Sequence, residues 1–189
     1  MRTKPLLAAL LLVGACGCRT DTGRRDAAAQ DVNAHSATGI RFPSRVLGCH
    51  RGRTTAYDAD RRNVGAAYNR GGLGARVALT LYVYPGPRLT SVGSSTKAVR
   101  TARRALTDQH FQQVKSQVLR AHPRATVVTE QQTAWMFHGR ARYGRSMHVR
   151  TRARFAGRMQ PVSSWAEVYA LDQWIIKLRA TCPIDAEAT

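Results

Sequence analysis

Alternation of apolar and polar side chains marks several short stretches of this chain as β-strands. The clearest stretch covers residues 75–84, and we expect it to be a strand with one buried side. That side is apolar at every second position: Ala75, Val77, Leu79, Leu81 and Val83. Tyr82 and Tyr84 fall on the polar side, where their rings either fill the core or stack on arginines. Two shorter strands are predicted before it, over residues 53–57 and 64–68.

Residues 94–122 contain no Gly or Pro and repeat their apolar positions at helical spacing. Ser94, Ser95 or Thr96 can supply the oxygen that caps the free amides of the first turn. The apolar positions form two offset stripes. They predict either one long helix or two helices with a break near Thr107-Asp108.

Strand-like alternation returns after Pro123. About five strands are predicted there, with a turn at Gly144-Arg145 joining the second to the third; they cover residues 126–129, 135–143, 147–155, 164–169 and 174–182. Three strands, a helix and five further strands predict an α+β domain, in which a mainly antiparallel sheet of about six to eight strands packs against one long helix. We place this single domain at residues 41–185 and a C-terminal tail at 186–189.

The N-terminus has the composition of a secretory signal, because a basic start precedes an apolar run that ends at Ala15. The run is shorter than the roughly 17–25 apolar residues of a membrane span. Val13-Gly14-Ala15-Cys16 resembles the lipobox of bacterial lipoproteins. The resemblance implies that residues 1–15 are a lipoprotein signal peptide and that Cys16 carries acyl chains such as palmitate. Gly17 after it, rather than aspartate, implies the outer membrane with the domain facing the periplasm.

Two alternatives to this lipid assignment remain open. The signal can be an ordinary cleaved one, with Cys16 and Cys18 as incidental thiols, or Cys18 can be the lipidated residue. If Cys16 is the lipidated residue, residues 16–40 form a lipidated, flexible tether. No aromatic residue occurs from 17 to 40, so the segment buries too little apolar area to offset its ordering entropy.

The chain is strongly basic, with a formal net charge of +19 and 26 arginines against 4 lysines. Such a charge attracts phosphate-bearing partners, including anionic lipid and lipopolysaccharide. Nucleic acid is a poor candidate for an exported protein. Base composition of a GC-rich genome is the competing explanation of the arginines.

Arginines are concentrated where acids are absent, since no Asp or Glu lies between Glu130 and Glu167. Period two places five of them on one side of a strand pair: Arg140, Arg142, Arg150, Arg152 and Arg154. Guanidinium groups bind phosphate and carboxylate in bidentate fashion, so this side is predicted to bind anions. A solvated outer face is the alternative.

Cys49 precedes the first predicted strand and Cys182 ends the last. In an oxidising compartment they are predicted to form a disulfide, the alternative being two buried free thiols.

No catalytic motif is present: the chain lacks HExxH, GxSxG, CxxC and a phosphate loop, and its six histidines are dispersed. We therefore expect no enzymatic activity, no cofactor and no metal. An enzyme with an unrecognised site remains an alternative, and it requires a cleft that holds Glu130 or Glu167 with His138.

Three stretches, "FPSRVLGCHRGRTTAYDA", "LTLYVYP" and "WIIKLRATCP", resemble a family of uncharacterised exported proteobacterial proteins over roughly residues 42–183. The element order is also similar to that of the extrinsic photosystem II subunit PsbP, which acts by binding. The sequence thus predicts a lipid-anchored envelope lipoprotein that binds an anionic envelope component or a protein partner. An assembly or stress accessory protein that binds by strand addition is the other alternative.

Overall fold

The computed structural model describes residues 33–71, 76–88 and 95–186. Within these residues, eight strands form a single antiparallel sheet and one α-helix packs on it. The strands before the helix are β1 (Arg45–Val46), β2 (Cys49–Ala56), β3 (Val64–Arg70) and β4 (Val77–Pro85). The helix is α1 (Thr96–Ala121). The strands after it are β5 (Thr126–Phe137), β6 (Arg140–Phe155), β7 (Arg158–Leu171) and β8 (Trp174–Pro183), and a short 3-10 helix, Ile184–Ala186, follows.

The strand order across the sheet is β1-β2-β3-β4-β8-β7-β6-β5. Each half of the chain forms an antiparallel meander, and the pairing of β4 with β8 joins the two halves. The α+β class is therefore confirmed in its coarse form, although the domain is mostly sheet. In the described part of the chain four strands precede the helix rather than three, since the two-residue β1 is too short to produce a detectable alternation.

One face of the sheet, called here the N-terminal face, is covered by the segment that precedes β1. Ile40 and Phe42 from that segment are buried in the cluster on this face. The strands contribute apolar side chains from alternate positions, among them Leu79, Leu81, Leu178 and Tyr169. The core on this side thus extends across most of the sheet and is closed by the start of the domain.

The opposite face, called here the helix face, is covered by α1. Phe111, Val114 and Val118 of the helix pack against Met147 and the apolar side chains of β7 and β8. The helix is continuous, which decides between the two sequence interpretations, and Ser95 caps it by accepting a hydrogen bond from the amide of Ala98. In the described residues no helix is long and apolar enough to cross a bilayer.

The predicted tether boundary is wrong at its C-terminal end, because residues 33–40 pack on the sheet. His35 is fully buried, with its ring edge-on to Trp174 at 4.6 Å between centroids. Its Nε2 donates to the carbonyl of Arg62, and burial lowers the pKa of the imidazole. Ile40 and Phe42 close the core beside it. Residues 1–32, which include the predicted signal peptide and Cys16, lie outside the described residues.

The predicted disulfide is not formed, and Cys49 and Cys182 are both buried as thiols. The register explains this, because β3 and β4 lie between β2 and β8. Three interstrand spacings amount to about 14 Å along the sheet, whereas a disulfide needs Cα atoms within about 7 Å. Burial also raises the pKa of the Cys49 thiol and keeps it protonated.

The predicted turn at Gly144-Arg145 is also wrong. The chain reverses at His138-Gly139, where both residues have positive φ, and Gly144 lies inside β6. Gly144 is directly opposite Tyr169 on β7. A Cβ at residue 144 would lie 2.4 Å from the ring of Tyr169, so glycine is present because the buried ring occupies that space.

We predict that Gly144→Ala lowers the free energy of unfolding by about 2 kcal/mol, because Tyr169 is fully buried and its ring must shift to admit a methyl group. Chemical denaturation monitored by circular dichroism measures the change.

Gly52→Ala in β2 is the matched control, since its Cβ meets nothing closer than 3.7 Å. Equal stability of the two variants would contradict the β6–β7 register.

Candidate functional site

β6 and β7 extend beyond the rest of the sheet as a two-stranded projection, and this projection carries some of the arginines of β6. β5 begins opposite Arg150, and β8 ends opposite Val162. Residues 152–155 and 158–161 consequently pair only with each other within the described part of the chain. These two segments, together with Arg150 at their base, are called the arginine ribbon.

Three arginines lie on the side of the ribbon that continues the N-terminal face. Arg150, Arg152 and Arg154 are exposed and occupy alternate positions of β6, spaced by about 7 Å. Their cross-strand partners are neutral: Ser163, Pro161 and Met159. No arginine faces another across the ribbon. Like charges therefore repel each other only along β6, and not across the strand pair as expected of an arginine hairpin.

The tip of the ribbon also exposes an apolar side chain on the same side. Met159 is 61% exposed and lies directly opposite Arg154. Arg154 donates from Nε to the carbonyl of Gly157 at 3.4 Å, which orients its guanidinium near the tip. A cationic row with an adjacent flexible apolar side chain can contact a charged interface and insert beneath it.

Arg140 and Arg142 share this side of the sheet but do not join the ribbon. Arg142 is directly opposite Trp135, at the other end of β6, and is half-buried. Eight positions separate Arg142 from Arg150, which is about 26 Å along an extended strand. The five predicted arginines therefore form two groups, not one patch, because the real turn places them all on a single long strand.

Buried side chains occupy the space between these two groups. Tyr169 and Glu167 of β7 lie side by side there, and the Tyr169 hydroxyl donates to the Glu167 carboxylate at 2.9 Å. His148 stacks on Trp165, with ring centroids 4.6 Å apart and an interplanar angle of 9°. This buried centre interrupts the cationic surface and anchors β6 to β7.

Glu130 belongs to a separate polar network that fixes the helix to the sheet. Lys115 Nζ and Arg145 Nη2 each lie 2.5 Å from its carboxylate oxygens. Arg145 and Tyr143 also contact Asp108 of α1, the latter at 2.7 Å. The hydrogen bond from Lys115 lowers the pKa of Glu130, so this carboxylate stays ionised and acts as a structural ion-pair partner.

The residues named for an unrecognised enzyme site are not brought together. Glu130 pairs with Met147 on the helix face, whereas Glu167 pairs with Ser146 on the N-terminal face. His138 lies in the β5–β6 turn, edge-on to Phe137. Among the described residues, no three His, Cys, Asp or Glu side chains are grouped closely enough to hold a metal ion.

Sequence reasoning identified the ribbon arginines but missed Met159 and the projection itself. Parity along β6 was sufficient to assign the side of each arginine. The projection depends on where β5 and β8 begin and end, which local alternation does not encode. No protein-family model matches the chain, and no curated protein matches it at a significant level.

Proposed function

We propose that this protein is a non-enzymatic lipoprotein of the cell envelope that binds a phosphate-bearing lipid surface through the arginine ribbon. The observation that carries the proposal is the projection of the ribbon from the sheet, on which the exposed Arg152 and Arg154 lie opposite the neutral Pro161 and Met159. The anionic lipid can be a phospholipid or lipopolysaccharide, since both offer phosphate groups.

The position of the ribbon favours a surface over a small ligand. Its arginines are exposed and lie along a row, so they can contact several headgroups at once. Each basic residue near an anionic membrane contributes about 1 kcal/mol, and this contribution falls with added salt. Met159 adds an apolar contact at the tip.

The proposed anchor at Cys16 supports this weak interaction. Acyl chains on Cys16 hold the domain at the outer membrane on its periplasmic side, which turns ribbon binding into an intramolecular event at a high effective concentration. Three basic contacts are then sufficient to set the orientation of the domain.

Strand addition to a protein partner is the second candidate, because β5 is the last strand of the sheet. β5 has 12 residues, and Glu130 is its single charged residue. An edge of this length without cationic side chains is a template for an added strand.

We predict that Arg152→Glu combined with Arg154→Glu weakens binding to vesicles of phosphatidylcholine and phosphatidylglycerol by about 30-fold or more. The estimate takes about 1 kcal/mol for each lost cation. Co-sedimentation measures binding of residues 16–189, with Cys16 and Cys18 changed to Ser so that neither the signal segment nor an acyl chain contributes.

Arg45→Glu combined with Arg53→Glu is the matched control, because it makes the same charge change on exposed residues of β1 and β2. Equal losses in the two double variants would show that net charge alone binds the vesicles. Binding to a protein that survives high salt and both double variants would favour strand addition at β5.

We also predict that the native protein begins at Cys16 and carries acyl chains on it. Mass spectrometry of the N-terminal peptide from purified envelope tests this directly, and Cys16→Ser should release the protein from the membrane fraction. A chain that starts elsewhere, or that carries a bare thiol at residue 16, would contradict the anchor.

A further inference from the structure

The helix face holds a second site, separate from the arginine ribbon. A groove of about 470 Å³ runs between α1 and the part of the sheet formed by β3, β4 and β8. Its floor and walls bear three tyrosines and two basic side chains: Tyr57, Tyr82, Tyr84, His110 and Lys177. These five residues define the tyrosine groove, whose size is within the range of small-molecule sites.

The floor of the groove is an aromatic platform that depends on Gly65. Tyr57 and Tyr82 lie with their ring centroids 6.4 Å apart at an angle of 31°. Gly65 is directly opposite Tyr82 on β3, and a Cβ there would lie 3.1 Å from both rings. The absence of a side chain therefore lets the two rings settle on the sheet. Tyr57 is 56% exposed, so a face of the platform is accessible.

Lys177 places a positive charge over the face of the Tyr82 ring, beside Tyr57. It is directly opposite Tyr82 on β8, and its Nζ lies 4.6 Å from the Tyr82 ring centroid and 5.6 Å from that of Tyr84. No carboxylate of the described residues forms an ion pair with it. Burial lowers the pKa of Lys177, and the positive charge of Arg179 lowers it further.

The acids nearest in sequence to the groove are already engaged. Asp58, which follows Tyr57, accepts hydrogen bonds from the amides of Arg62 and Asn63. Asp108, two residues before His110, is bound to Tyr143 and Arg145. Lys177 therefore contacts the rings of Tyr82 and Tyr84 rather than either of these two carboxylates, and its ammonium group can accept an anion from a ligand.

The helix supplies neutral polar groups along the opposite wall. His110 Nε2 is 2.5 Å from the Tyr84 hydroxyl, and burial lowers the pKa of this imidazole, so it is neutral at pH 7. Gln113 and Gln117 of α1 and Asn63 of the sheet side add amide donors and acceptors. Flat ring faces, paired amides and a single cation suit a ligand with C–H faces, several hydroxyl groups and one negative charge.

We propose that the tyrosine groove binds a sugar ring that carries a carboxylate, with the ring on the exposed face of Tyr57 and the carboxylate on Lys177, which lies over Tyr82. The C–H groups of a sugar face the electron-rich surface of the Tyr57 ring. The amides satisfy its hydroxyl groups, and the charge-assisted hydrogen bond to Lys177 selects acidic over neutral sugars. The site lies on the opposite face from the ribbon arginines, so the proposal is independent of lipid binding.

Isothermal titration calorimetry of the full-length chain in a sugar-free zwitterionic detergent tests the proposal with three probes: sodium glucuronate, glucose and sodium acetate. We expect saturable 1:1 binding of glucuronate. Glucose should bind about tenfold or more weakly, since it loses a charge-assisted hydrogen bond. Acetate should bind weakest, because it has no ring for the platform. No saturable binding of glucuronate, or equal binding of acetate and glucuronate, would overturn the proposal.

Two variants locate the binding. Lys177→Met keeps an apolar stem and should weaken glucuronate about tenfold while leaving glucose unchanged. Tyr57→Ala removes an exposed ring and should weaken both sugars with unaltered thermal unfolding.

Lys97→Met is the matched control, because Lys97 is exposed on the first turn of α1 and does not line the groove. Loss of glucuronate binding in Lys97→Met, or its retention in both groove variants, would place the sugar elsewhere and refute the assignment.

Discussion

Both faces of the eight-stranded sheet must be shielded from water, and the chain does so with two unlike segments. α1 covers the helix face with Phe111, Val114 and Val118. The segment ending at Phe42 covers the N-terminal face and inserts the buried His35 beside Trp174. With the centre of the sheet buried on both sides, the arginines of β6 on the N-terminal face lie toward the ends of the strand, where Arg140 and Arg152 are exposed. The ribbon is thus a consequence of strands that are longer than the faces that cover them.

The incomplete cover that α1 gives the helix face also creates the tyrosine groove. α1 lies over β6 and β7, so the helix face of β3 and β4 is covered only at its margin. Tyr82 and Lys177 occupy this margin, with apolar packing on one side and water on the other. The ammonium group of Lys177 is partly shielded from water there and contacts the rings of Tyr82 and Tyr84.

Much of the fold was predictable from the sequence because periodicity is local. The alternation from Val77 to Tyr84 and the helix capped by Ser95 required only neighbouring residues. The turn was misplaced because Gly139 and Gly144 are both glycines in one alternating stretch, and only the opposing ring of Tyr169 distinguishes them. The Cys49–Cys182 pairing failed for the same reason, since strand order is not a local property. The face of the sheet on which the ribbon arginines lie could be predicted from the alternation of odd and even positions along the strand. Their separation from Arg142 could not be predicted in this way.

Contact between the ribbon and lipid is the central claim, and photocrosslinking in the native envelope measures it most directly. A photoreactive amino acid is placed at Met159, at the exposed tip of the ribbon, and for comparison at Val128 near the outer edge of β5, which is 42% exposed. The account predicts adducts of phospholipid or lipopolysaccharide from residue 159 and few or none from residue 128. Protein adducts from residue 128, with no lipid adduct from residue 159, would contradict it.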